Sequence, residues 1–227
     1  YSSSLGATTS QACMSCGEGK YSGSTGASSS STCALCGAGK FSSSVGAVSA
    51  ATCLDCGMGT YAASEGNHDR SMCVLCGAGK HSSALGASSV ETCLACGPGK
   101  FAESYGNTND TFCVLCSSGK YSGASGASSS STCAECAAGK YLESAGSTAP
   151  SACQPCGAGT FSTALGAASS ATCSQCEVGK YSTTEGGESS SSCQRCEAGK
   201  YGSNISSTMC DVCVAGKFSN AIGAVSG

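Results

Sequence analysis

Sulfur constrains this chain more than anything else in it. Its 22 cysteines form eleven Cys-x-x-Cys units, from Cys13/Cys16 to Cys210/Cys213. Written in lines of twenty, residues 1–20, 21–40, 41–60, 61–80, 81–100, 101–120, 121–140, 141–160, 161–180 and 181–200 align without gaps. An eleventh copy, 201–217, is three residues shorter, and a partial twelfth covers 218–227. A short fixed period is the signature of stacked repeats. No linker or change of composition interrupts it, so the expectation is one continuous array over 1–227, excerpted from a longer chain.

Composition excludes an ordinary globular core. Leu, Ile, Val and Phe number 25 among 227 residues, and Trp is absent. So few large apolar groups cannot offset roughly 1.5 kcal/mol of ordering entropy per residue. High net charge, the usual companion of disorder, is missing too: the formal charge is −3. Cysteine at close to a tenth of the residues points instead to a covalent scaffold in an oxidising, extracellular compartment. No stretch approaches the roughly 20 apolar residues of a membrane span. The charge balance argues against nucleic acid, which asks for a basic face.

Three positions in each copy carry structural meaning. The sixth residue is Gly in every full copy (Gly6, Gly26 through Gly186), and the next-to-last is Gly in all eleven (Gly19 through Gly199, then Gly216). Both predict places that need positive φ or close backbone approach. In the short copy, Asn204 is the expected substitute for the sixth-position Gly. The first residue is Tyr or Phe throughout except His81, which predicts one flat ring over each copy's disulfide. No helical or long strand pattern appears. The fold class expected is therefore small, disulfide-rich and mostly irregular, with two- or three-residue strands around Gly-Lys-Tyr-Ser.

The cysteines admit three readings. Consecutive units give Cys-x2-Cys-x16-Cys-x2-Cys, a spacing seen in four-cysteine zinc sites. Yet eleven units do not pair off evenly, and nothing distinguishes alternate units. A redox Cys-x-x-Cys normally occurs singly on a packed α/β scaffold. Structural disulfides remain the leading reading, with connectivity open on spacing alone.

The stretch CGEGKYSGSTGASSSSTCALC (16–36) resembles the ephrin-receptor-like cysteine-rich repeat and the first-loop module of tumour-necrosis-factor-receptor-type ectodomains. All share Cys-x-x-Gly-x-Tyr, a short polar loop, then Cys-x-x-Cys. The resemblance implies that the second Cys of one unit bonds the first of the next. The implied pairs are Cys16–Cys33, Cys36–Cys53, Cys56–Cys73, Cys76–Cys93, Cys96–Cys113, Cys116–Cys133, Cys136–Cys153, Cys156–Cys173, Cys176–Cys193 and Cys196–Cys210. Cys13 and Cys213 are then left for flanking repeats or other subunits. Each bridge would contribute on the order of 3 kcal/mol through loop closure. Modules joined only by the two residues inside each Cys-x-x-Cys would form a stiff, elongated linear array. A β-solenoid is the alternative architecture, rising about 4.8 Å per copy, whereas an extended ladder would rise at least about twice that.

Function follows from what the copies offer. Nine of the eleven basic residues are one repeated Lys, from Lys20 to Lys217, read as solvated side chains lying along the rings or as cations for acidic glycans or acidic subunits. The clustered Ser are O-glycan candidates. Asn109-Asp110-Thr111 and Asn204-Ile205-Ser206 are N-glycosylation sequons, so covalent glycans are expected at Asn109 and Asn204. No nucleophile elbow, phosphate loop or carboxylate dyad is present, so the chain reads as a non-enzyme without cofactors. The leading expectation is a structural component of an extracellular fibre, stalk, flagellar hair (mastigoneme) or cell-surface glycoprotein, partnered by itself or other fibre subunits. The alternative is a receptor or adhesion ectodomain, for which the divergent copies 61–80 and 101–120 are the binding candidates.

Overall fold

The computed structural model describes residues 1–5 and 8–226. Gly6, the sixth-position glycine of the first copy, lies outside them. The chain separates into two compact units. One comprises Tyr1–Cys96, Phe101–Val114 and Gly126–Ser129; the other comprises Gly97–Lys100, Leu115–Ser125 and Ser130–Gly227. The same local grammar builds both.

From Lys20–Tyr21 to Lys200–Tyr201, each junction between copies is a two-residue strand formed by the last residue of one copy and the first of the next, such as Lys40–Phe41 or Lys140–Tyr141. It pairs antiparallel with the two residues inside the next Cys-x-x-Cys: Lys40 opposes Asp55 and Phe41 opposes Leu54, while Lys140 opposes Pro155 and Tyr141 opposes Gln154. A 3-10 turn then precedes the first Cys of each unit from Cys13 to Cys193, as at Ala50–Thr52 and Ser170–Thr172. Its cap residue has an extended backbone and a short polar side chain. Ser49, Asp69, Asn109 and Ser169 each accept from the N–H two residues on, satisfying a donor that the short turn leaves over. The strands are as short as the sequence predicts. Among the described residues there is no α-helix.

Single parallel bridges add a second layer of contact. Phe41 bridges Asn67 and Tyr141 bridges Ala167. A solenoid with one copy per coil would pair each residue with its own counterpart in the next copy. None of the described strand pairs or bridges has that register, and no closed sheet is found; the β-solenoid alternative is therefore corrected to separate two-stranded ladders.

Backbone hydrogen bonds reach well past the Cys-x-x-Cys joint. In the first unit Gly59 N donates to Ser82 O at 2.8 Å, Cys76 N to Gly59 O at 2.8 Å, and Gly106 N to Cys76 O at 2.8 Å. In the second, Gly139 N donates to Ser162 O, Cys156 N to Gly139 O and Gly186 N to Cys156 O in the same pattern. Each copy is thus tied to the next and to the one after it. The expectation of modules linked by two residues alone does not hold.

That close approach explains the glycines. Every described sixth-position and next-to-last Gly has φ between +61° and +86°. It also explains an inverted interior. The second Cys of a unit is sealed (Cys36, Cys56 and Cys76 at 0 %), beside small residues such as Ser42, Ala62, Ser82 and Ala102. Buried Ser42 and Ser82 hydroxyls accept from the N–H two residues on. Leu54, Val74, Leu94 and Val114 are exposed. Chain segments packed this tightly admit sulfur and methyl groups; among the described large aliphatic residues, Leu142 is the one that is buried.

Candidate functional site

The repeated site is a disulfide with its cover. The structure joins Cys16–Cys33, Cys36–Cys53, Cys56–Cys73, Cys76–Cys93 and Cys96–Cys113 in the first unit. In the second it joins Cys116–Cys133, Cys136–Cys153, Cys156–Cys173, Cys176–Cys193 and Cys196–Cys210. Cα atoms lie 5.5 to 5.8 Å apart, inside the usual range for a bridge. Sulfurs bonded in pairs carry no thiolate charge for a four-cysteine zinc site. Cys13 is an exposed thiol and Cys213 a half-buried one.

The ring does not cover the disulfide of its own loop. Tyr121 lies within the Cys116–Cys133 loop but packs on the cluster of Cys136, Leu142 and Cys153. Likewise Phe161 lines a hollow of about 250 Å³ with Gln175, Cys176, Glu177, Lys180, Ser190 and Cys193. Tyr121 and Phe161 therefore each couple one covalent loop to the following one. Sequence alone gives no hint of this, because the ring's partner is chosen by the antiparallel register rather than by proximity along the chain.

His81 occupies the ring position above Cys96–Cys113. Its Nε2 lies 3.9 Å from Asp110 Oδ1, and its side chain is 14 % exposed. Its Nδ1 is buried without a hydrogen-bond partner.

The repeated Lys is engaged within the array at several copies. Lys40 pairs with Asp55 at 2.6 Å and Lys120 with Glu135 at 3.2 Å, each across its strand pair. Lys180 and Lys200 reach Glu177 and Glu197 at 2.8 and 3.1 Å. The Lys180 ammonium, by hydrogen bond and by charge, holds the Glu177 carboxyl below its ordinary value. These pairs are exposed, so water screens them and they add little to stability.

The divergent copies are partly explained by structure. Asn67 and Asn107 are buried at 2 % and 3 %, where most copies carry Ala. Asn67 Nδ2 donates to Lys40 O and Ser64 O, and Asn107 Nδ2 to Lys80 O and Ser104 O. Their amides tie backbone together and face no open surface. The sequon residues Asn109 and Asn204 are both exposed.

The short copy corrects one expectation. The left-handed residue is Ser206, with φ +56°, and not Asn204. Ser206 N donates to Cys176 O just as Gly186 N donates to Cys156 O, so Ser206 is the true sixth position. The three missing residues fall in the 3-10 turn, which is absent between Tyr201 and Cys210, and the Lys200–Val212 and Tyr201–Asp211 pairing forms regardless.

Residues 50–93 match a family model described as tyrosine-protein kinase ephrin type A/B receptor-like. That stretch runs from the 3-10 turn before Cys53 to Cys93 and contains two complete disulfide loops. None of the curated proteins matches the chain. Ten disulfides at a regular interval, with an ephrin-receptor-like segment inside them, make this a cysteine-rich repeat array of the kind used for extracellular structural or receptor-ectodomain roles. No helix among the described residues is long and apolar enough to cross a membrane.

Proposed function

We propose that the chain is a structural segment of an extracellular fibre, stalk, flagellar hair or cell-surface glycoprotein, built as one continuous array over 1–227. The supporting observation is that the loops are closed by the same kind of disulfide and, as at Cys136–Cys153 under Tyr121, capped by the ring of the preceding loop, so nearly every copy presents the same outer surface. Identical surfaces at a fixed interval favour regular association with further copies or with other fibre subunits. N-linked glycans at the exposed Asn109 and Asn204 would shield a chain whose interior is sulfur and small side chains. Cys13 and Cys213 would bond to cysteines of flanking repeats or neighbouring subunits.

The test is secretion of the chain from a eukaryotic host, followed by intact mass with and without reduction and by electron microscopy. Ten bridges, sugar mass at Asn109 or Asn204 and ordered assemblies are the expected results. A protein that stays monomeric at high concentration and is retained on a cell surface would favour the second reading, a receptor or adhesion ectodomain. That reading draws its support from the ephrin-receptor-like match over 50–93.

A further inference from the structure

Two departures from the repeat meet at one disulfide. His81 is the one first-position residue that is neither Tyr nor Phe, and Asp110 is the one Asp at the tenth position of any copy. An imidazole nitrogen, an Asp110 oxygen and the Cys113 sulfur lie within 4.8 Å of one another. Cys96, bonded to Cys113, brings a second sulfur to the same point. The second unit supplies the ordinary version of this place: Phe161, Ser190 and Cys193 stand where His81, Asp110 and Cys113 stand, and line one hollow. As packing, His is the poorer choice, because a buried ring nitrogen without a partner costs about 1–3 kcal/mol. As a donor it completes a set of one nitrogen, one oxygen and two sulfurs, a combination that suits tetrahedral zinc.

We propose that His81, Asp110, Cys96 and Cys113 form a latent zinc site, closed while the Cys96–Cys113 bridge stands and opened when a dithiol reductant breaks it. In that exchange the bridge takes two electrons and two protons to give two thiols, while the dithiol becomes a disulfide. Zinc then binds both sulfurs as thiolates, and the two thiol protons pass to solvent. At the other described loops the ring position is Tyr or Phe, so a reduced pair there gains no imidazole.

The test uses the full chain. Cys96→Ser frees the Cys113 thiol beside His81 and Asp110 while the other nine bridges remain. Titration with Co²⁺ should give one ion per chain with a thiolate-to-cobalt absorption band. Adding His81→Phe should weaken binding at least roughly tenfold, a loss seen even for outer-shell partners. Cys176→Ser, which frees Cys193 beside Phe161 and Ser190, should show no such band. An equal band in Cys176→Ser, or one unchanged by His81→Phe, overturns the proposal. A second measurement needs no cysteine variant: limited reduction of the unmodified chain by a dithiol with Zn²⁺ present, then alkylation and peptide mapping. Cys96 and Cys113 should be selectively protected, and uniform alkylation across the loops would refute the site.

Discussion

Gly79→Ala tests the close approach on which the interior depends. A Cβ there would overlap the Gly126 carbonyl oxygen and stand 2.7 Å from its carbon, both backbone atoms that cannot swing aside. Gly79 also has φ +77°, which costs an L-residue about 1–2 kcal/mol. Relieving the overlap means moving the segments around Gly79 and Gly126 apart, at the expense of the bonds from Gly126 N to Cys96 O and from Cys96 N to Gly79 O, both 2.8 Å. Each contributes about 1 kcal/mol net, so the total loss is about 3–4 kcal/mol. The melting transition of that unit should fall by about 10 °C or more. Gly77→Ala is the matched control: nothing lies within 4 Å of its added Cβ, and Ser117, Ala137 and Glu177 already occupy the equivalent position. It should stay within about 0.5 kcal/mol of the parent. Calorimetry and hydrogen exchange on the two variants decide the matter; equal melting temperatures would refute the argument.

Tyr121→Ala should raise hydrogen exchange around Cys136, Leu142 and Cys153, in the following loop, more than around Cys116. Replacing Cys136 and Cys153 together by Ser should cost about 3 kcal/mol by loss of a loop closed over a separation of 17 residues. Ser206→Gly should be stabilising by about 1 kcal/mol, since it relieves the one described non-glycine residue at positive φ, and a rise in melting temperature checks it. Asp69 caps its turn through Ser71 N–H, and that hydrogen bond holds its carboxyl below the ordinary 3.8. Its folded pKa is depressed, so the cap is fully present above the ordinary value and is lost as pH falls through the lowered one. Exchange at Ser71 should rise on acidification below about pH 4 in the parent and stay flat in Asp69→Ser.

Much of the local design was legible because it repeats. Glycines fixed at two positions announced two left-handed turns, and the Lys-aromatic step announced the short strands. The implied Cys16–Cys33 type of pairing came from likeness to a family, since spacing alone left it open. What stayed hidden depends on register between copies. That Tyr121 covers Cys136–Cys153, or that Asn107 Nδ2 reaches Lys80 O, follows from pairings between separate copies, which no local propensity encodes. Ser206 was missed for a related reason: the gap in the eleventh copy was not placed until its hydrogen bond to Cys176 O located it.

The 3-10 turn that the eleventh copy lacks has a consequence for how such a chain diversifies. Since the Lys200–Val212 pairing and the Cys196–Cys210 bridge form without it, the turn's length is decoupled from the framework. A stretch that can lose three residues while the strand pair and the bridge stay in place is where copies of this kind can differ in length. Length can change at that turn without disturbing the sulfur framework on either side of it.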